Sequence, residues 1–232
     1  MREGREMLSQ TWRRHDLLHV APDVWASVLA FRTPLADLPL VGDWADRGWP
    51  VIVRRRGEAE DRHLVPVGVP LPPAAGKRRV ALLIPPESVL QRSRPPLLHA
   101  SASAADPNWR STIDALVAVG ARSGVEPAAF GSLVWQYLTG LAYLTPHSDL
   151  DVLWQIPANF DVHSLICNIA QVQRDAPVRI DGEIIFPDGS AVNWRELWNA
   201  HQAAGRATVL AKTMESVRLF DVASLACFAG HA

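Results

Sequence analysis

The stretch Ser148-Asp-Leu-Asp-Val-Leu-Trp-Gln-Ile156 limits what this chain can fold into more than any other segment. Polar and apolar residues alternate at its start, the pattern of a strand with one wet end. Successive side chains on a strand point to opposite faces, so Asp149 and Asp151 project the same way while Leu150 and Val152 face a core. Two carboxylates then share one small volume. At roughly 4 Å and an effective dielectric near 20 they repel by about 4 kcal/mol, so the pair either shares a proton or binds a cation. Mg²⁺ suits such a pair, because it takes one or two carboxylates plus substrate phosphate oxygens in place of a full protein cage. A bare Asp-X-Asp also fits two ordinary exposed residues at a strand start, so the neighbouring segments have to carry the argument further.

Those neighbours set the fold class. Asn108 to Ala121 places Ile113, Leu116, Val117 and Ala121 on one helical face, with Asp106-Pro107 as its start signal. Gly131-Ser132 opens a second helix with Leu133, Tyr137, Leu138 and Leu141 as its apolar stripe, ending at Gly140. Val162, Leu165, Ile166, Ile169 and Val172 mark a third helix after the aspartate strand, and Val178 to Phe186 reads as another strand. Helix, strand, helix, strand implies an α+β fold with α/β-like layers. Residues 1–95 read as a smaller β-containing domain, with strand-like runs at Pro50–Arg56 and Arg78–Ile84 separated by the proline-rich Val65–Pro73 stretch. Prolines and small polar residues over 96–107 suggest a linker, which leaves 108–232 as the second domain.

The net charge of −1, from 23 basic and 24 acidic residues, gives no global pull toward nucleic acid or an anionic membrane. Any anion site is therefore local. Two basic clusters qualify: Arg54, Arg55 and Arg56, and Lys77, Arg78 and Arg79. The arginine fork matches phosphate oxygens bidentately. On a strand Arg54 and Arg56 share one face and Arg55 takes the other. Positive charges on edge strands that discourage aggregation are the plainer explanation for both clusters. Cys167 and Cys227 cannot build a disulfide framework and sit among apolar residues, which favours a reducing cytoplasm. The charged start of the chain and the absence of a window of about 18 apolar residues imply a soluble, cytoplasmic protein without a membrane span. His15, His147 and His163 lie near interesting segments, but no pair has zinc-site spacing. Lys212-Thr213 could reach a phosphate. Trp135, Trp154, Trp194 and Trp198 could stack on a base, although packing is the default for tryptophan.

Gly131-Ser132, a connecting helix and Ser148-Asp-Leu-Asp151 together resemble the nucleotidyltransferase superfamily related to polymerase β. A glycine opening a helix lets backbone N–H groups approach phosphates, and the serine hydroxyl adds a donor. The resemblance implies a mixed sheet flanked by helices, and a third carboxylate on a neighbouring strand. Asp181 is the candidate and Glu183 the fallback, while Asp181-Gly182 also fits a hairpin turn. Ser132 and Asp149 stand further apart here than in compact members.

The longer string Gly131-Ser-Leu-Val-Trp-Gln-Tyr-Leu-Thr-Gly-Leu-Ala-Tyr-Leu144 followed by Ser148-Asp-Leu-Asp-Val-Leu153 is similar to the malonate decarboxylase holo-acyl carrier protein synthase family, also called phosphoribosyl-dephospho-CoA transferase. Arg14-His-Asp-Leu-Leu18, Val53-Arg-Arg55, Val67-Gly-Val-Pro-Leu-Pro-Pro73, Lys77-Arg-Arg79 and Asp181-Gly-Glu183 extend the likeness over nearly the whole chain. It implies transfer of a phosphoribosyl-dephospho-CoA group from its triphosphate precursor, triphosphoribosyl-dephospho-CoA, to a serine of the apo acyl carrier subunit, with release of diphosphate. The metal would be Mg²⁺, with Mn²⁺ as a substitute, held by Asp149, Asp151 and Asp181. Gly131, Ser132, Arg54, Arg56, Lys77 and Arg79 would bind the substrate. Another magnesium-dependent nucleotidyltransferase acting on a small molecule or protein, or a non-catalytic protein-binding module, are the competing expectations. Near-neutral charge argues against tRNA as a partner.

Overall fold

Two antiparallel or mixed sheets, each with its own core, divide the chain. The computed structural model describes residues 11–30, 35, 38–203 and 207–222. Cys227 lies outside the described residues, and Cys167 is a free thiol.

The first sheet is built from β1 (Leu17–Val20), β2 (Val51–Val53), β3 (Val65–Pro70), β4 (Arg79–Ile84) and β5 (Val89–Ser93), in the order β4-β3-β2-β1-β5, with every pair antiparallel. Helix α1 (Pro22–Ala30) follows β1 and buries Trp25 and Leu29. The strand runs expected at Pro50–Arg56 and Arg78–Ile84 appear as β2 and β4. The proline-rich stretch expected to separate them is itself a strand. Alternation explains how β3 tolerates its prolines: Val65, Val67 and Val69 are fully buried on one face. Leu71 N–H donates to the Arg78 carbonyl, so odd positions bond toward β4, whereas the Pro66 carbonyl accepts from Arg54 N–H. Pro66 and Pro70 therefore turn their missing N–H toward β2, which is only three residues long and asks for few ladder bonds.

The segment expected as a linker is folded. Helix α2 (Leu98–Ser101) sits within it, Leu98 is fully buried, and its N–H donates to the Pro127 carbonyl at 2.8 Å. The prolines gave 96–107 a linker's composition, but Leu97 and Leu98 are apolar enough to seat it on the second core.

That core lies between helices and a six-stranded sheet. The elements are α3 (Arg110–Ser123), β6 (Ala128–Ala129), α4 (Gly131–Thr139), β7 (Leu150–Gln155), α5 (Val162–Asp175), β8 (Ile180–Ile185), β9 (Ala191–Asn193), α6 (Trp194–Gln202), β10 (Thr208–Lys212) and β11 (Val217–Asp221). Sheet order is β11-β10-β9-β8-β7-β6, and only β7 and β8 run parallel. A parallel pair needs a crossover, which α5 supplies. The Asp161 side chain accepts from Ser164 N–H at the start of α5, and Leu165, Ile166 and Ile169 are its buried face. Helix α3 buries Ile113 and Leu116 and closes on Gly124 in the left-handed conformation. The fold is α+β, as the element order implied.

Helix α4 ties the two halves together. Leu133 and Val134 pack into the second core, while Trp135 and the following Tyr143 pack into the first. Tyr143 Oη donates to the Pro70 carbonyl at 2.9 Å. The helix ends on Gly140, as expected, at a φ of 72°.

Candidate functional site

The parallel register of β7 on β8 sets Asp151 level with Asp181. Neighbouring strands lie about 4.8 Å apart, so two carboxylates at one level on one face stand side by side. Asp181-Gly182 is mid-strand and no hairpin turn. Gly182 adopts a φ of 149°, and a methyl group there would overlap the Val152 carbonyl on β7. Glycine at 182 thus lets the two carboxylate-bearing strands close on each other.

Asp151 is part-buried among these acids. Burial first, then the charges of Asp181 and Asp149, push its carboxyl up to about 7, while the Arg79 charge and the Ser132 backbone N–H pull the other way. The start of α4 is tied to the same residue through the main chain: Phe130 N–H donates to the Asp151 backbone carbonyl at 3.1 Å. Gly131 has a φ of 64°, and a methyl group on it would overlap Asp151 Oδ2. The wide spacing between Ser132 and Asp149 therefore does not move Gly131-Ser132 away from the acidic strand. The loop after Gly140 absorbs the extra length, held where the Gln136 side chain accepts from the N–H groups of Tyr143 and Leu144.

A cleft of about 370 Å³ opens between the halves, with Asp151, Phe130, Gly131 and Ser132 on one side and Lys77, Arg78 and Arg79 on the other. Asp149 faces a different cavity, shared with His147, Ser148 and Arg179, and Arg179 Nη1 lies 3.2 Å from its Oδ2. Asp181 accepts from Gly182 N–H at 2.9 Å and from Asn193 Nδ2 at 2.7 Å. Glu183, the alternative third carboxylate, is engaged by three cationic or imidazole partners: Arg14 at 2.9 Å, His15 at 3.1 Å and Lys212 at 3.0 Å. Burial alone would raise its carboxyl, but the hydrogen bonds and charges of His15 and Arg14 outweigh that and hold it well below the usual carboxylate range. Asp181 is the freer of the two for a cation.

The first arginine cluster is arranged differently from strand alternation, because β2 ends at Val53 and residues 54–56 leave the pleat. Arg54 lines the cleft but is clamped by Glu60 Oε1 at 2.5 Å and by the Val67 and Leu82 carbonyls. Arg56 does not reach the cleft. It is buried, donating to the Asp61 and Leu64 carbonyls and pairing with Glu215 at 3.3 Å. Arg55, assigned to the far face, lines the cleft with Arg54.

Among the remaining candidates, Lys212 lines the cleft, whereas His163 lies elsewhere, stacked 3.9 Å from His201. Trp154 and Trp194 are fully buried packing residues, and Trp135 is nearly so although it borders the cleft. Sequence reasoning missed the tie of Arg14 and His15 to Glu183, although both were visible in family-like motifs.

Among the described residues no group of three or more His, Cys, Asp or Glu side chains converges to hold a metal ion alone. The donor set nonetheless fits a hard divalent cation that shares its shell with a substrate. Burial and then the neighbouring acids Asp181 and Asp149 raise the Asp151 carboxyl to about 7, a shift that a bound cation would oppose.

An α+β fold whose cleft sets the Asp151 carboxyl, level with Asp181 on the next strand, against Lys77, Arg78 and Arg79 has the charge pattern of an enzyme that transfers a phosphate-bearing group. Family models of the phosphoribosyl-dephospho-CoA transferase MdcG match most of the chain, the N-terminal domain over residues 13–95 and the C-terminal domain over residues 96–223. Phosphoribosyl-dephospho-CoA transferases from Bradyrhizobium diazoefficiens and Xanthomonas campestris pv. campestris are similar. The first is 41% identical over 90% of this chain and 89% of its own length. The second is 38% identical over 91% and 95%. One from Pseudomonas aeruginosa is 33% identical over 75% of this chain and 79% of its own length. No solved structure matches. The chain belongs to the phosphoribosyl-dephospho-CoA transferase family and is a transferase.

Proposed function

We propose that the chain attaches the phosphoribosyl-dephospho-CoA group of triphosphoribosyl-dephospho-CoA to a serine of the apo acyl carrier subunit of malonate decarboxylase. The serine Oγ attacks the phosphorus next to the ribose. A P–O bond forms to serine, the bond to the outer two phosphates breaks, and diphosphate leaves with the electron pair. The serine proton passes to solvent or to a cleft carboxylate.

The observation that carries this reading is Asp151, level with Asp181 and facing the cleft whose other wall holds Lys77, Arg78 and Arg79. Phosphoryl transfer asks a protein chiefly for positioning and charge neutralisation. Asp151 and Asp181, with Asp149 once it parts from Arg179, would hold Mg²⁺ or Mn²⁺, which supplies charge neutralisation at the reacting phosphate. Lys77, Arg78 and Arg79 would bind the donor phosphates, and the α4 N-terminus would add N–H donors at Gly131 and Ser132. Arg54 would orient the cleft wall through Glu60, and Arg56 would act only by holding the 57–64 loop. The N-terminal sheet thereby supplies cations and the C-terminal sheet carboxylates. No described helix is long and apolar enough to cross a membrane. A cytoplasmic place of action completes the proposal, supported by the free Cys167 thiol.

Incubation of the chain with apo carrier, triphosphoribosyl-dephospho-CoA and Mg²⁺, read by intact mass of the carrier, tests the proposal. The carrier should gain the mass of the prosthetic group, and Asp151→Ala should abolish the gain. An unchanged carrier mass with a donor shown to be intact would overturn it.

A further inference from the structure

Beside the carboxylates the cleft holds a second built feature. Glu183 is 7% exposed, and donors from both halves of the chain meet on it. Arg14 Nη2 spans both of its oxygens, at 3.1 and 2.9 Å. Lys212 Nζ reaches Oε1 at 3.0 Å. His15 Nε2 lies 3.1 Å from Oε2 and carries the proton of that contact, since a carboxylate only accepts. The arrangement is over-determined. His15 sits at a φ of 71°, which a non-glycine residue adopts only at a cost, and its ring packs edge-on against Phe130 at 5.0 Å.

Arg14, His15 and Lys212 line the same cleft as Asp151 and Gly131. One carboxylate thus stands against two permanent cations, which leaves positive charge unbalanced beside the cations of residues 77–79. Arg14 Nη1, moreover, is buried with no hydrogen-bond partner. A buried guanidinium donor without an acceptor is costly, and a small rotation toward an anion in the cleft would relieve it.

We infer that Arg14 and Lys212, fixed by Glu183 and His15, form a preorganised anion subsite for the outer diphosphate of the donor. The inference rests on the proposed transfer reaction for the identity of the donor, and its chemistry stands on this cluster. Arg14 and Lys212 contact the phosphates. Glu183 is a positioning residue that holds their side chains extended toward the cleft, so less side-chain freedom is lost on binding.

Calorimetric titration of the full chain with inorganic diphosphate, and separately with dephospho-CoA, is the test. Arg14→Ala should weaken diphosphate binding at least tenfold while dephospho-CoA binding changes less than twofold. If Arg14→Ala fails to fold, Lys212→Ala, at a side chain one-third exposed, should give the same selective loss. Glu183→Gln should raise KM for the donor with kcat within threefold, whereas a purely structural role would lower the folded fraction and leave KM alone. Diphosphate binding unchanged in both cation variants, or undetectable in the wild type, would overturn the inference. Selective diphosphate loss without any transfer to carrier would instead sink the proposed reaction and leave the subsite standing.

Discussion

Replacement of Gly131 by alanine tests the link between the start of α4 and the acidic strand. Two costs add at this position. Its φ of 64° lies in the left-handed region, where an L-residue with a Cβ costs roughly 1–2 kcal/mol. The new methyl would also overlap the Asp151 carboxylate, and forcing an extra carbon into a packed site costs roughly 1–3 kcal/mol. The expected loss is about 2–5 kcal/mol. Gly140 provides the control, because it has a similar φ of 72° with nothing within 4 Å of a built methyl. Gly140→Ala should lose only the backbone part, roughly 1–2 kcal/mol. Urea unfolding of both variants isolates the contact with Asp151 as the difference. Combining Gly131→Ala with Asp151→Ala should recover at least about 1 kcal/mol, as expected of two residues in contact. In the transfer assay Gly131→Ala should lose about 100-fold, since misplacing a reacting group by about 1 Å can cost that much. Equal losses for the two glycine variants, with no coupling to Asp151, would refute the claim that Gly131 is glycine to make room for that carboxylate.

Asp151 also sets a pH dependence. Its carboxyl is raised from 3.8 to about 7, so without divalent cation the folded state is favoured below the lower value and loses that advantage as pH rises through 7, by at most about 4 kcal/mol. Urea midpoints in EDTA should therefore fall between pH 4 and 8 in the wild type and fall less in Asp151→Asn. A wild-type curve as flat as the variant's would refute this. Arg56→Ala leaves the Asp61 and Leu64 carbonyls without their guanidinium donors and should cost about 2–4 kcal/mol, with loss under 0.5 kcal/mol counting against its structural role. Gly182→Ala drives a methyl into the Val152 carbonyl of the parallel partner and should lower soluble yield sharply; a normally folded variant would show that β7 and β8 can separate without harm.

What could be read from the sequence was what depends on near neighbours in the chain. The 3.6-residue period found the buried face of α5. Alternation from Ser148 to Ile156 found the strand but put Asp149 in one volume with Asp151, whereas β7 begins at Leu150 and Asp149 lines a different cavity beside Arg179. Reading failed where the outcome depends on a partner distant in sequence. Arg54 to Arg56 looked like an alternating strand, yet β2 stops at Val53 and Arg56 turns inward to the Asp61 and Leu64 carbonyls of a loop. Val65–Pro73 looked like a separator because prolines weaken a strand, and only the pairing with β2 and β4 shows that their missing donors fall on the side that needs fewest.

Glu183 is the sharpest case. Two residues after Asp181 on the same strand and in the same alternation, it stood as the fallback for a third carboxylate. Its fate is set by Arg14, 169 residues away. Local chemistry makes two such acids equivalent, and tertiary contacts make one a counterion and leave the other available for a cation. The distinction matters for the proposed mechanism, in which neutralising Glu183 would disturb how the cleft holds anions whereas neutralising Asp181 would disturb how it holds metal. Donor affinity and metal dependence should therefore respond to different members of the Asp181-Gly-Glu183 triplet.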